Sequence, residues 1–358
     1  MQTVRENPNS FRAGDTQGSV LILALWTLVL LSALALAVAA RVRGAITLAS
    51  VLKSDTDALY AARSGVELCI SAVSADSNEW DAVTEDWSHN EELFREFPSG
   101  NGGFSSEYLL DWGKDGTVER YGLIDEESRI NINSPKYANE AVLNAALRTI
   151  GGVDELRAGR MAAAIMDWRD ADDQPLTDGA ESSYYQARGK PYKCGNGPFG
   201  TIEELLLVRG MENDIFQELK PHITVHGAGP VNINTCGHKA LRAIAVAVVS
   251  VGAGDGAELV DKIIAFRKSG RVFEKAEYQH IKDKLDKGTG LSPGEAKTLN
   301  RMMPYMSVRS TCFGGTVSGY ARRDSGGGRS LSGKREPGKK ITFVYDRKKG
   351  RLVFLREH

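Results

Sequence analysis

The sequence predicts an α+β chain: a long N-terminal helix packed on a small antiparallel sheet, interrupted by a large all-helical insertion. Three observations predict it. One uncharged apolar run near the N-terminus is long enough to cross a bilayer and leads into an amphipathic stripe. Two alternating segments, one near residue 110 and one near residue 348, read as hairpins of one sheet. Between them lies a helix-forming stretch in which one short string occurs twice.

Residues 20–40 (VLILALWTLVLLSALALAVAA) carry no charge over 21 positions. At about 1.5 Å per residue this helix reaches roughly 31 Å, the thickness of a hydrocarbon core. A cleaved secretory signal is the alternative. Ala37-Val38-Ala39 offers a small-x-small site, although the run exceeds the roughly 7–15 apolar residues of a signal. Arg5 and Arg12 before the run and Arg41 and Arg43 after it leave no positive-inside bias. Beyond it, Leu48, Leu52, Leu59, Ala62, Val66, Cys69 and Val73 recur at spacings of 3, 4 or 7, so the helix is expected to continue to residue 75.

Residues 104–112 and 118–124, around a turn at Lys114-Asp115-Gly116, form the first expected hairpin; residues 341–345 and 351–355 form the second. The sheet domain is thus expected in two pieces, 76–124 and 307–358, with the insertion at 125–306. Within the insertion, RININS (129–134) and PVNINT (230–235) each precede an Ala-, Leu- and Val-rich helix, with Ser134 and Thr235 as expected N-caps. A second helix follows each, at 161–170 and 259–268. Between the copies, Thr201 and Glu204 read as a capping box and Gly210 as the stop of a helix. Two packed helical subdomains follow from this, since about 100 residues in two copies is no solenoid.

The run Gly18-Ser19-Val20-Leu21-Ile22-Leu23-Ala24-Leu25-Trp26 resembles the start of K-type minor pseudopilins of the bacterial type II secretion system. DEESRININ (125–133), MDWRDADD (166–173), NGPFGTIEELLLVRGM (196–211) and GPVNINTC (229–236) resemble the same family in the same order. The resemblance implies a pilin-like domain interrupted by a helical insertion. It makes residues 1–18 a prepilin leader, cut by the prepilin peptidase between Gly18 and Ser19. Residues 19–75 become a helix that spans the inner membrane once, N-terminus in the cytoplasm and bulk in the periplasm. Arg5 and Arg12 are offset by Glu6 and Asp15, unlike the basic leaders of that family. Most pilins carry Glu at the fifth mature position, where this chain has Leu23. That loss, together with a bulky insertion, implies a place at the tip of the pseudopilus. Val20, Leu23, Trp26 and Leu30 are then the assembly interface. The I- and J-type minor pseudopilins and the major pseudopilin are the implied partners, with secreted cargo a further contact.

A different class of function is a membrane-anchored helix-hairpin-helix protein that binds or takes up DNA, since NINT and LLLVRG also resemble those units. Residues 126–306 hold 23 Lys+Arg against 24 Asp+Glu, too little cationic density to neutralise phosphates. The C-terminal stretch 321–358 is the exception, with 12 Lys+Arg against 4 Asp+Glu; it reads as a solvated basic loop and hairpin or as a match for an acidic partner surface. No catalytic motif is present, so the chain reads as non-enzymatic: H-E-x-x-H and G-x-S-x-G do not occur. GRSLSGK (328–334) is followed by Arg335 where a phosphate loop needs Ser or Thr.

Six carboxylates fall within residues 167–181. Asp170, Asp172, Asp173 and Glu181 are the candidate metal ligands, and calcium is the cation that such oxygen donors take. The resembled family binds calcium; a solvated acidic helix end reads equally well. No other cofactor is implied. Four cysteines are scattered, none in C-x-x-C spacing. Within-domain pairs, Cys194 with Cys236 and Cys69 with Cys312, are one of three connectivities, and buried thiols are the alternative.

Overall fold

A computed structural model describes residues 16–113, 116–249, 256–288, 290–321 and 338–358. Residues 1–15 of the leader, Lys114 and Asp115 of the first turn, and the loop 328–334 lie outside the described residues. The chain divides into two units, Met1–Thr56 and Asp57–His358. The first unit is the opening part of α1 (Thr16–Ala75), whose large apolar side chains from Val20 through Leu52 are all exposed. The stripe expected from Leu48 onward is therefore buried only from residue 58, and Leu48 and Leu52 belong to the exposed part.

In the second unit, Ala58, Ala62, Val66, Cys69 and Val73 of α1 are buried. Next come α2 (Glu91–Phe94), β1 (Phe97–Ser99), β2 (Gly102–Asp111), β3 (Thr117–Tyr121) and β4 (Ile124–Asp125). The stretch from β5 (Ile130–Asn131) to β8 (Met306–Ser307) is mainly helical, and β9 (Cys312–Ala321), β10 (Lys339–Asp346) and β11 (Arg351–Glu357) close the chain. The main sheet is antiparallel, in the order β1-β2-β9-β10-β11, with β3 on β2 and β4 on β9. Phe104, Phe313, Val317, Ile341, Phe343 and Tyr345 form one apolar cluster with α1. This is the expected α+β fold, and both expected hairpins form. The hairpins are not neighbours, however: β9 lies between them as the central strand. Its sequence, CFGGTVSGYA, looks like a loop. The glycines are a packing requirement, because a Cβ on Gly319 would stand 2.0 Å from the Ala58 carbonyl oxygen of α1.

The mainly helical stretch is two copies of one plan. In the first, β5 leads to α3 (Glu140–Thr149), α4 (Glu155–Arg169), α5 (Ser182–Gln186), a 3-10 turn (Ile202–Leu207), α6 (Asn213–Leu219), a 3-10 turn with Pro221, and β6 (Ile223–Thr224). In the second, β7 (Val231–Asn232) leads to α7 (His238–Val248), α8 (Ala257–Lys268), α9 (Tyr278–Asp286), α10 (Pro293–Met302), a 3-10 turn with Pro304, and β8. Each copy closes on itself through a two-residue parallel pairing, β5 with β6 and β7 with β8. The stretch is thus not wholly helical; these pairings are made by the twin N-I-N strings themselves.

Ser134 and Thr235 do not cap the helices that follow. Asn139 and Gly237 occupy those positions, and Thr235 instead donates to the Asp125 carboxylate, 2.5 Å away. The strings act through their asparagines. Asn131 and Asn232 each accept the backbone N–H two residues on. Asn133 accepts from the Phe199 N–H (2.7 Å) and donates to its carbonyl (2.9 Å); Asn234 makes the same pair of bonds with Phe273, both at 2.9 Å. The clamped phenylalanines stack on matching rings, Phe199 on Trp168 and Phe273 on Phe266. One buried cluster from Ile130 to Val308 runs through both copies.

Candidate functional site

Two features are candidates for chemistry or assembly: a stem and an acidic loop. The first is the exposed stem. Val20, Leu23, Trp26 and Leu30 are 65%, 68%, 69% and 71% exposed. At 100° per residue they fall within about 120° of one another, so they share one helical face. Ser19–Ala75 is long and apolar enough to cross a membrane, a candidate single-pass anchor near the N-terminus. Gly18 and Ser19 lie within α1.

The second feature is the acidic loop after α4. Oxygen atoms of Asp167, Asp170 and Glu181 lie within 4.8 Å of one another. Asp167 is fully buried at the end of α4 and accepts from the N–H groups of Leu176 (3.1 Å) and Ala180 (2.6 Å), which pins the loop back onto the helix. Gly179 makes this approach possible, since a Cβ there would stand 1.9 Å from Asp167 Oδ2. Glu181 is 1% exposed, and neither of its carboxylate oxygens has a hydrogen-bond partner among the described residues. Buried Oδ1 atoms of Asp170 and Asn196 are likewise unmatched. Burial, reinforced by the neighbouring aspartates, pushes the Glu181 carboxyl up to about 7. Unmatched buried oxygens are costly, and a hard cation that takes six to eight oxygens is what such a set fits.

Of the four ligands expected from sequence, Asp170 and Glu181 are brought together. Asp173 stands beside Glu181 and Asn196 and accepts from Ser182 N–H, and Asp172 accepts from Gln174 N–H. Asp167 joins Asp170 and Glu181 in the cluster. Asn196 escaped notice in the sequence; its signal is the NG pair of NGPFG, where it adopts φ +43°, a left-handed conformation that Asn tolerates.

A second acidic group, Asp76, Asp81 and Glu85, is already satisfied by protein donors. The Arg347 guanidinium pairs with Asp76 and Asp81 at 2.8 Å each, and Glu85 accepts from Asn78, Ala82 N–H and Trp87.

The expected disulfides are not formed. All four cysteines are buried free thiols. Cys194 Sγ lies under the acidic loop, 3.8 Å from the Asp167 carbonyl oxygen, whereas Cys236 sits at the start of α7 in the other copy, 3.7 Å from the Gly237 carbonyl oxygen. Burial pushes each of the four thiols up to about 12. The LLLVRG string forms a 3-10 turn rather than an arm of a helix hairpin, and Gly210 (φ +83°) faces the Met161 side chain. Nothing here supports the DNA-binding alternative.

Residues 128–228 match the family model described as type II secretion system (T2SS), protein K. Over 86 residues the chain is 40% identical to the type II secretion system protein K of Klebsiella pneumoniae, covering 24% of this chain and 26% of that protein. Over 114 residues it is 34% identical to the protein K of Pectobacterium carotovorum subsp. carotovorum, covering 31% and 34%. The aligned segments span between a quarter and two fifths of the length of the curated relatives. A chain in the crystal structure titled as the GspK-GspI-GspJ complex from the enterotoxigenic Escherichia coli Type 2 Secretion System shares the fold, with a TM-score of 0.60 at 17% identity, covering 89% of this chain and 99% of that one. The likeness to K-type pseudopilins drawn from short strings thus extends to a matched domain and a shared fold.

Proposed function

We propose that the chain works as a K-type minor pseudopilin of a type II secretion system, a structural subunit at the tip of the pseudopilus. The observation that carries this is the union of a protein K domain at residues 128–228 with an exposed apolar helix, Ser19–Ala75, in one chain. The stem anchors the precursor in the inner membrane with its N-terminus in the cytoplasm, and leader removal after Gly18 leaves the stem on the mature protein. Val20, Leu23, Trp26 and Leu30 then form a continuous apolar face for the stems of other minor pseudopilins. The fold-sharing chain comes from a structure titled as a complex of three Gsp proteins, which supports such partners.

The tip position follows from Leu23 and the insertion. A Glu at this depth would sit in hydrocarbon and would need the N-terminal ammonium of another stem to neutralise it. Leu23 needs no such partner, so nothing has to be docked ahead of this subunit. The helical stretch from β5 to β8 adds bulk that a subunit stacked above would meet. Asp167, Asp170 and Glu181 would hold calcium, with Asn196 supplying a neutral oxygen. The ion would supply positive charge to a buried acidic cluster; Asp167 meanwhile keeps its backbone bonds and fixes the loop.

N-terminal sequencing of the mature membrane protein tests the assignment. Ser19 is the expected first residue, and Gly18→Val should leave the precursor untrimmed. A start near Arg41 would make this a secreted protein, and Met1 a plain anchor; either result overturns the proposal. Leu23→Glu should leave folding intact and impair assembly, read by crosslinking between stems. Unchanged crosslinks would remove the charge argument for the tip.

A further inference from the structure

We propose that the free edge of β11 is a docking strand for an extended, acidic segment of a partner protein. Among the described residues β11 is the last strand of its sheet and pairs on one side only, with β10. His358 and Lys340 exchange backbone bonds across that pair, so by antiparallel alternation Arg356 and Phe354 also turn their backbone groups toward β10. Leu355 and Glu357 turn theirs outward, a ready template for one more strand.

The two faces beside that edge differ. On the α1 face, Leu352 and Leu355 are 36% and 49% exposed, an apolar step next to the Arg63–Glu357 ion pair. On the other face, Phe354, Arg356 and His358 line a cleft of about 470 Å³ whose far wall includes Ile202, Ile223 and Val225. An added strand would send alternate side chains to these two places, which is how strand addition gains specificity.

Charge identifies the occupant. The exposed residues at this edge include Lys348, Lys349, Arg351 and Arg356, of which Lys349 pairs with Asp346 at 2.9 Å; the Glu357 charge is met by Arg63. Among the described residues Lys348 and Arg351 have no carboxylate in ion-pair range, while Arg356 faces the cleft that Glu203 also lines. Of the twelve Lys and Arg noted in the C-terminal stretch, Arg351 and Arg356 lie on β11 itself, and Lys348 and Lys349 lie in the turn that leads into it. Cations on an edge can also serve only to repel other strands, and the test separates the two roles. The proposal stands apart from the pseudopilin assignment and holds for any partner of this chemistry.

The probe is an end-blocked (Val-Glu)4 peptide, titrated onto the detergent-solubilised full chain by fluorescence anisotropy, beside (Val-Lys)4 and a copy of the first peptide N-methylated at alternate residues. Only the unmethylated acidic peptide should bind, and it should weaken at least about tenfold between 50 and 500 mM salt. Leu355→Pro removes an outward N–H while leaving the β10 ladder intact, so it should abolish binding with an unchanged melting curve. Arg351→Glu with Arg356→Glu should do the same. Equal binding of all three peptides, or retention of binding by Leu355→Pro, overturns the proposal. So does a chain that binds no peptide but self-associates when Lys348, Lys349, Arg351 and Arg356 are changed to Ser, because the cations would then serve repulsion alone.

Discussion

Asn234→Ala should be among the most damaging single changes in the second unit, although it removes only a small polar group far from any surface. Asn234 is 1% exposed, and its amide makes two bonds of 2.9 Å, one to each backbone polar group of Phe273. Alanine leaves both of those groups buried and unmatched. Each such group costs roughly 1–3 kcal/mol, so the loss is about 2–6 kcal/mol, a large part of a domain's net stability. Phe273 itself is fully buried and stacks on Phe266 at 4.3 Å between centroids, so the clamp cannot relax by letting the ring swing out. Asn234→Asp should be equally poor at pH 7: its carboxylate still accepts from the Phe273 N–H but turns an oxygen toward the carbonyl and carries a buried charge. Asn133→Ala should cost less although it also loses a third bond, to the Val225 carbonyl (3.1 Å), since Asn133 is partly exposed and water can replace what is lost. Urea unfolding of the detergent-solubilised chain, followed by far-UV circular dichroism, measures all three. An Asn234→Ala loss below about 1 kcal/mol, or a larger loss at Asn133 than at Asn234, would refute the reasoning.

Two further outcomes follow from packing and burial. Gly319→Val should prevent α1 from seating on β9, because even its Cβ would meet the Ala58 carbonyl oxygen at 2.0 Å; loss of soluble expression of residues 57–358 is expected, and a native melting curve would contradict the contact. A disulfide reagent should find no reactive thiol in the native chain and four after denaturation, and the chain should migrate identically with and without reductant. A reductant-dependent shift would restore a disulfide.

The sequence made the stem legible because a bilayer-length apolar run has few other readings, and it made the two hairpins legible because their turns are polar and their strands alternate. It hid β9, since Gly314 and Gly319 serve the close approach of β10 and of α1 rather than any strand propensity. The duplication was visible in the paired N-I-N strings, but their role was misread. Ser134 and Thr235 have the chemistry of caps, and only the fold reveals that each helix starts several residues later and that the asparagines reach across 66 and 39 residues to clamp a phenylalanine. The acidic cluster was half legible: all six carboxylates were in view, but only the fold shows that Asp167 converges with Asp170 and Glu181 while it also holds the loop's Leu176 and Ala180 N–H groups.

The proposed calcium site in that loop should be coupled to the core, and chelation tests it. In the second copy of the plan only residues 269–272 separate α8 from Phe273, whereas in the first copy residues 170–198 separate α4 from Phe199. The longer connection carries Glu181, which directly precedes α5, and α5 carries Tyr185, fully buried with its ring edge-on to Trp168 at 5.2 Å. Ordering of the acidic cluster is therefore tied to packing around one tryptophan. Without metal, Glu181 in the folded chain holds its proton up to about pH 7, against 4.5 when unfolded. The folded state binds more protons in that window, so metal-free stability is fully present below about 4.5 and falls as pH rises through 7. Calcium needs the deprotonated form, so it should stabilise the fold far more at pH 8 than at pH 5, the gain at pH 8 being about 2.7 kcal/mol at a hundredfold excess over its dissociation constant. Chelation at pH 8 should change tryptophan emission, and Trp168→Phe should remove that change. Glu181→Gln should flatten the pH dependence and abolish the calcium response; a variant that still gains stability from calcium, or emission indifferent to chelation, would uncouple the loop from the core.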